Sequence, residues 1–361
     1  MVSRLRNMIT AVTKYGLPKS KIKKLGSLAL LSFFVFLACT PNQDQQKSTA
    51  VDQPVSIAIP HFPEMPVPEN RPITKKRIAL GKKLFNDPIL SKNQDISCAS
   101  CHLSAKAFTD GRNVSTGTEG RQTLRNSPTL FNLAWQPYLF MDGGNPTLES
   151  QVFGPIEEHT EMDNPFTEAM ARVAASAEYQ RLFKEAFGDD VNPFTLTTAL
   201  STFERSLVSY NSPFDQFYYY GDSSALSPSA QRGLQLFTSE ALACESCHSF
   251  PLTTNFSFEN IGLKTHYQTD SGRARVTQVA ADHGKFKVPT LRNITLTAPY
   301  MHDGSVETLP EVIDHFAAGG VAHPNQSNQV KGFTITPQQK EDLLAFLASL
   351  TDTNSYQQYQ D

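Results

Sequence analysis

Apolar residues recur every three to four positions in several stretches, each opened by a polar residue or proline. This spacing predicts helices. Four are short: Thr74–Phe85, Pro228–Phe237, Leu309–Ala317 and Pro337–Leu350. Two more, Thr167–Phe187 and Pro193–Tyr210, bridge the two halves of the chain. No stretch alternates apolar and polar residues long enough to predict an extended strand. The expected fold class is therefore mainly α, and 361 residues suffice for two domains with their own cores.

One apolar run is of another kind. "LGSLALLSFFVFLA" (Leu25–Ala38) closes a segment whose first 38 residues carry seven Lys/Arg and no Asp or Glu. It is too short for a membrane span and suits the apolar region of a signal peptide at residues 1–38. Cys39 follows at once. "FLAC" resembles a lipoprotein processing site that lipidates Cys39, although Phe36 stands where such sites usually have Leu; an ordinary secretory signal with an incidental Cys is the alternative. Both readings export the chain. Loss of seven positive charges takes the formal net charge from −3 to −10. So acidic a protein is a poor nucleic-acid binder. Residues 39–70 read as a polar, flexible tether.

The halves repeat. "PTLFNLAWQPYLFMDGGNPTL" (Pro128–Leu148) aligns without gaps on "PTLRNITLTAPYMHDGSVETL" (Pro289–Leu309), offset by 161. Upstream, "GKKLF" (Gly81–Phe85) and "GLQLF" (Gly233–Phe237) stand at matching places. Two related domains follow, expected at 71–222 and 223–351, with 352–361 as a tail.

The remaining four of the five cysteines form one motif twice: Cys98-x-x-Cys101-His102 and Cys244-x-x-Cys247-His248. A disulfide has no use for the histidine. A four-cysteine zinc cluster would leave both histidines to coincidence, and no βαβ pattern surrounds either motif as in a thioredoxin-like redox pair. Covalent c-type haem needs this spacing: two thiols one helical turn apart reach the two vinyl groups, and the next residue lies under the iron. Two cytochrome-c-like haem domains related by internal repeat are expected.

"CHLSAKAFTDG", "RNSPTLFNLA", "LESQVFGPIEEHTEM", "FKVPTLRNITLTAPYMHDGS" and "TLPEVIDHFAAGG" resemble the bacterial di-haem cytochrome c peroxidase family, which includes the MauG enzymes. The resemblance runs from about Pro72 to Leu350. It implies two covalent haems with one calcium ion between the domains. The N-terminal haem, on His102, reacts with hydrogen peroxide. The C-terminal haem, on His248, relays electrons from a small donor protein such as a cytochrome c or cupredoxin. Gln151, Pro155 and Glu161 match the distal pocket of the first haem. Asn126 matches a calcium ligand, as do Thr297 and Pro299 through their carbonyls. Export of the chain leads to an expected periplasmic setting, with contact to a membrane only through a lipid on Cys39, and leaves room for a homodimer.

The residues support this in part. Splitting peroxide needs a group that moves a proton between its oxygens, which Glu161 would do with a pKa raised by burial. His159 is a rival, and on residues alone "EEHTE" (Glu157–Glu161) reads first as a solvated acidic turn. Gln151 alone would be an ordinary surface amide. Asn126 with two carbonyls suits a hard cation, though Arg-Asn-Ser-Pro is also a common turn.

Three positions depart from the family. Thr118 stands where members needing reductive activation have a blocking His, so the first site is expected to be open at rest. Met141 replaces a Trp between the haems, and Trp135, the single Trp, sits six residues away. Phe316 replaces the Met or Tyr that is sixth ligand of the second haem, and it is the repeat counterpart of Pro155. His315, Met301 and His302 are the candidate substitutes, and a five-coordinate second haem is the alternative. The function expected is peroxide reduction. A MauG-like oxidase acting on a partner protein and a non-catalytic electron-transfer or haem-sensor protein are the rivals.

Overall fold

Thr74 starts the first helix, Lys75–Asn86, by accepting a hydrogen bond from the Arg77 amide, and Leu80, Gly81, Leu84 and Phe85 form its buried stripe. In this computed structural model, which describes residues 52–357, the stripe packs on Pro193–Ser206, a helix buried on nearly every side. Gly81 permits the close approach: a Cβ there would run into the Ala199 carbonyl. The second half repeats the device. Pro228–Phe237 packs on Pro337–Ser349, and a Cβ on Gly233 would collide with the Asp342 carbonyl. Ser227, Thr308 and Thr336 cap their helices, each with a proline in the first turn. Extended pairing among the described residues is confined to two-residue strands, Phe258–Glu259 antiparallel to Phe286–Lys287, and isolated bridges. The chain is mainly helical, as the spacing predicts.

Two predicted helices differ from those observed. The stretch 167–187 is two helices, Phe166–Ala175 and Ala177–Phe187, because Ser176 takes an extended conformation and caps the second. The helix expected to reach Tyr210 ends at Ser206. Distant side chains capture the backbone beyond it: Asn132 both donates to and accepts from Ser209, while Asp352 accepts the Tyr210 and Asn211 amides. An extended segment with its polar groups satisfied has no need of helix bonds.

The signal segment 1–38, Cys39 and the tether up to residue 51 lie outside the described residues. From residue 52 the expected tether is instead packed. Ile59, Phe62 and Met65 are buried with Trp135, Val208 and Leu252, and the Trp135 indole donates to the Pro63 carbonyl at 2.9 Å. Apolar side chains spaced between prolines offset the modest entropy cost of ordering so stiff a segment. The expected tail also starts later than 352: Asp352 is fully buried and binds the Ser355 amide and hydroxyl besides the two amides above.

Beyond this strap cluster, one apolar core lies under the first motif, around Leu84, Phe85, Phe131 and Phe183. Another lies under the second, around Phe214, Phe237, Ile313 and Phe346. Backbone features recur at the 161-residue offset. Asn132 and Asn293 both take φ 61, and Phe140 and Met301 both have positive φ. Leu139 N bonds Asn145 O as Tyr300 N bonds Val306 O. Charged side chains tie the halves together. Arg125 grips Asp270 through two bonds of 2.7 Å and donates to Asp142, which also receives Arg275. Arg292 and Asp215 form a second bidentate pair, both fully buried.

Candidate haem cavity

One cavity of about 1200 Å³ is bordered by Cys98, Cys101 and His102 at one end and by Cys244, Cys247 and His248 at the other. It exceeds the usual size of a single small-molecule site. All four thiols are unpaired. Burial pushes Cys101 and Cys244 up to about 11 and Cys98 higher still, so the thiols are neutral at ordinary pH.

Both histidines are oriented in the same way. His102 Nδ1 lies 2.8 Å from the Phe108 carbonyl, and His248 Nδ1 lies 3.0 Å from that of Thr253. A carbonyl can only accept, so Nδ1 carries the proton in each and Nε2 keeps its lone pair for a metal. Burial lowers both pKa values and favours this neutral form. Phe108 and Thr253 have φ of 62 and 53, which turn their carbonyls back toward the imidazoles. Thr129 and Thr290 brace the loops by donating to the Ala107 and Leu252 carbonyls, each at 2.7 Å. Paired thiols, neutral imidazoles with free Nε2 and an enclosing apolar wall fit a covalently attached haem at each end.

At the first end, Gln151 closes the one-turn helix Leu148–Gln151, and its Oε1 is buried without a partner. Pro155 lies in the next helix, Phe153–Glu157. Glu161 stands on the loop beyond, where its own carbonyl accepts the Thr118 amide at 2.8 Å. Gln151, Pro155 and Glu161 all border the cavity. Burial, then the neighbouring Glu158, raises Glu161 to about 7, a value suited to exchanging protons near neutral pH. His159 points away: its side chain is 66% exposed and pairs with Asp163 at the surface. Thr118 is fully buried and donates its hydroxyl to the Met162 carbonyl. Met141 borders the cavity, whereas Trp135 belongs to the strap cluster.

The second end has another character. Val312, Ile313 and Phe316 of the helix Leu309–Ala318 face it together with Phe333, Leu343 and Leu347. Met301 and His302 also border the cavity. His302 stacks on Phe286 with centroids 3.7 Å apart, and burial lowers its pKa to about 4. His315 is turned elsewhere, its Nε2 lying 3.0 Å from the Ile261 carbonyl. Asn126, Thr297 and Pro299 border the cavity between its ends. The Asn126 Nδ2 donates to the Arg112 carbonyl at 2.7 Å, so Oδ1 is the side-chain atom left for a cation.

Glu204 was not singled out from the sequence. It borders the cavity from the 193–206 helix, is 6% exposed, and its Oε2 has no partner. Burial raises it to about 8 against the pull of Arg205. The available signal is an isolated Glu-Arg pair in "TALSTFERSLVSY", which is otherwise free of charge.

Among the described residues, no helix is long and apolar enough to cross a membrane. The family model for di-haem cytochrome c peroxidase matches residues 75–224. The methylamine utilization protein MauG of Methylorubrum extorquens is 38% identical over 79% of this chain and 81% of its own length. The cytochrome c551 peroxidase of Nitrosomonas europaea is 38% identical over 70% of this chain and 76% of its own. A crystal structure of a MauG-like protein associated with microbial copper homeostasis superposes with a TM-score of 0.76 at 36% identity, covering 83% of this chain and 96% of that one. Relatives this similar over most of both chains, together with the doubled Cys-x-x-Cys-His motif on one cavity, place this chain in the di-haem cytochrome c peroxidase family.

Proposed function

We propose that this protein reduces hydrogen peroxide to water with electrons from a small redox protein such as a cytochrome c or cupredoxin. One observation carries the reading: a single cavity joins two equivalent histidine sites, and at the first of them the raised Glu161 carboxyl and the unpartnered Gln151 Oε1 stand on its wall. The domains are 71–222 and 223–351, two cytochrome-c-like units related by the internal repeat; the backbone features shared at the 161-residue offset support this. Haem bound through Cys98, Cys101 and His102, and a second through Cys244, Cys247 and His248, supplies the redox-active iron. The chain's own residues do the rest. Glu161 carries a proton between the peroxide oxygens, Gln151 Oε1 accepts a hydrogen bond from the bound oxidant, and Pro155 keeps the distal wall free of a ligand. Thr118, held by the Met162 carbonyl, leaves that face open without prior reduction. Asn126 Oδ1 with the carbonyls of Thr297 and Pro299 holds a calcium ion between the halves. The protein works outside the cytoplasm, on the periplasmic side of a membrane, tethered through a lipid on Cys39.

The open first site also favours a MauG-like oxidase that modifies a partner protein, while Met141 in place of an oxidisable indole disfavours it. The deciding experiment uses the holoprotein. Pyridine haemochrome analysis and intact mass should give two covalent haems per chain. The oxidised protein should bind small anions and turn over peroxide with a reduced cytochrome c or cupredoxin, with no reductive activation. One haem, or a Cys–Cys disulfide in either motif, would overturn the cofactor reading. Two haems without peroxide turnover would leave an electron-transfer or sensor protein.

A further inference from the structure

Glu161 is not the only carboxyl at the first end of the cavity. Glu204 borders the same cavity from the 193–206 helix, and both carboxyls lie within electrostatic range of Cys98. Glu204 Oε2 has no protein partner, and neither do Nε and Nη1 of the adjacent Arg205. Arg205 spends its remaining nitrogen on Glu149, at 2.9 Å, which Ser201 also binds. Arg71 lies within electrostatic range of both Arg205 and Glu149, but no cation is hydrogen-bonded to Glu204 Oε2. A buried carboxyl without its own counter-ion is held neutral, and its free oxygen and the Arg205 N–H groups suit ordered water.

The proposed reaction needs such a group. Reducing one hydrogen peroxide to two waters takes up two electrons from the donor and two protons from the protein or solvent. Glu161, which moves a proton from one peroxide oxygen to the other, returns it within the same substrate and adds none. We propose that Glu204 is a second proton-carrying carboxyl of the first haem site, giving up its proton as electrons arrive and recovering it through water bound at Arg205. This rests on the peroxidase reading for its purpose, but not for its detection. The titratable and charged groups around it are Arg205 on its own helix, Glu149 on the 148–151 helix and Cys98 beneath it, with Arg71 in electrostatic range of Arg205 and Glu149.

The test compares holoprotein of the parent, E204Q, E204D and E161Q. In infrared difference spectra between oxidised and reduced protein, the parent should show a carboxylic-acid carbonyl band that responds to the haem oxidation state. E204Q should lose the band, E204D should keep a shifted one, and E161Q should keep the parent's. In stopped flow, E204Q should consume the first peroxide at the parent rate but return to the resting state about 10²-fold slower, with partial recovery in E204D. A merely structural Glu204 would slow both phases or neither. Absence of the band, its survival in E204Q, or an unchanged return rate in E204Q would overturn the proposal. If E204Q does not fold, E204D decides by the shifted band and an intermediate rate. A parent that shows the Glu204 band yet never turns over peroxide refutes the peroxidase reading and leaves Glu204 as a redox-linked proton carrier.

Discussion

The two ends of the cavity share a proximal architecture and differ on the opposing wall. In each, a Cys-x-x-Cys-His motif is followed by a residue of positive φ whose carbonyl holds Nδ1, and by a threonine that braces the loop. The first end has Gln151 and Glu161 on its wall, with Glu204 beside Cys98; the second has Val312, Ile313 and Phe316. Holding an imidazole neutral and aimed requires the same local device at either end. What happens next depends on whether protons can be handled there. The first wall can donate and accept them. At the second, the helix 309–318 turns only apolar side chains to the cavity. The difference thus lies on the wall, while the attachment loops are alike.

The contrast is broken most severely at Glu161. E161Q keeps the side chain's size and removes its exchangeable proton, so peroxide consumption should fall about 10²–10⁴-fold with the spectra of both haems unchanged. If H159A rather than E161Q abolishes turnover, the surface imidazole is acting despite its exposure and the role of Glu161 is wrong.

A smaller effect, confined to the second end, should follow from giving its apolar wall a ligand. F316M should create a low-spin, methionine-ligated haem with a charge-transfer band absent from the parent, and F316Y should change the second-haem spectrum in a different way. Peroxide consumption at the first end should stay within a few-fold. If the parent already has the methionine band and M301L removes it, Met301 is the ligand. Should neither substitution at Phe316 perturb a haem, the helix 309–318 does not present that residue to the iron.

The smallest effect lies in stability against pH. Burial raises Glu161 to about 7 and Glu204 to about 8 from an ordinary value of 4.5. The folded chain thus holds these protons where the unfolded chain has lost them. The stabilisation is full below about pH 4.5 and declines as pH rises through 7 and 8. Thermal melts of the E161Q/E204Q holoprotein across pH 5–8 should show a flatter decline than the parent. An equal slope in both would mean that the two carboxyls ionise without cost in the fold.

What the sequence made legible was local. The helix starts at Thr74, Ser227, Thr308 and Thr336 each place a capping oxygen beside a periodic apolar stretch, so their signal and their cause lie within a few residues. The same holds for His102 and His248, whose meaning comes from cysteines one and four positions away. Glu204 was illegible because nothing beside it announces burial; its environment comes from Glu149, Arg205 and the wall of a cavity. The end of the 193–206 helix depends on Asn132 and Asp352, far off in sequence. The packed strap at residues 52–65 is hard to read because prolines punctuate its apolar residues and the alternation of Val55, Ile57 and Ile59 stops at Pro60. Composition there reports stiffness, and stiffness reads easily as looseness when the surface it covers is unknown.

The ion pairs between the halves bear on modularity. Asp142 is fully buried, and its cations come from Arg125 in the first half and Arg275 in the second. Cutting the chain between the halves would strand Asp142 with part of its countercharge, a heavy penalty for buried charge. A repeated backbone therefore does not make two interchangeable parts. The halves are heritable only together, and a substitution that adapts one end of the cavity must be tolerated by a partner half that cannot be exchanged or discarded.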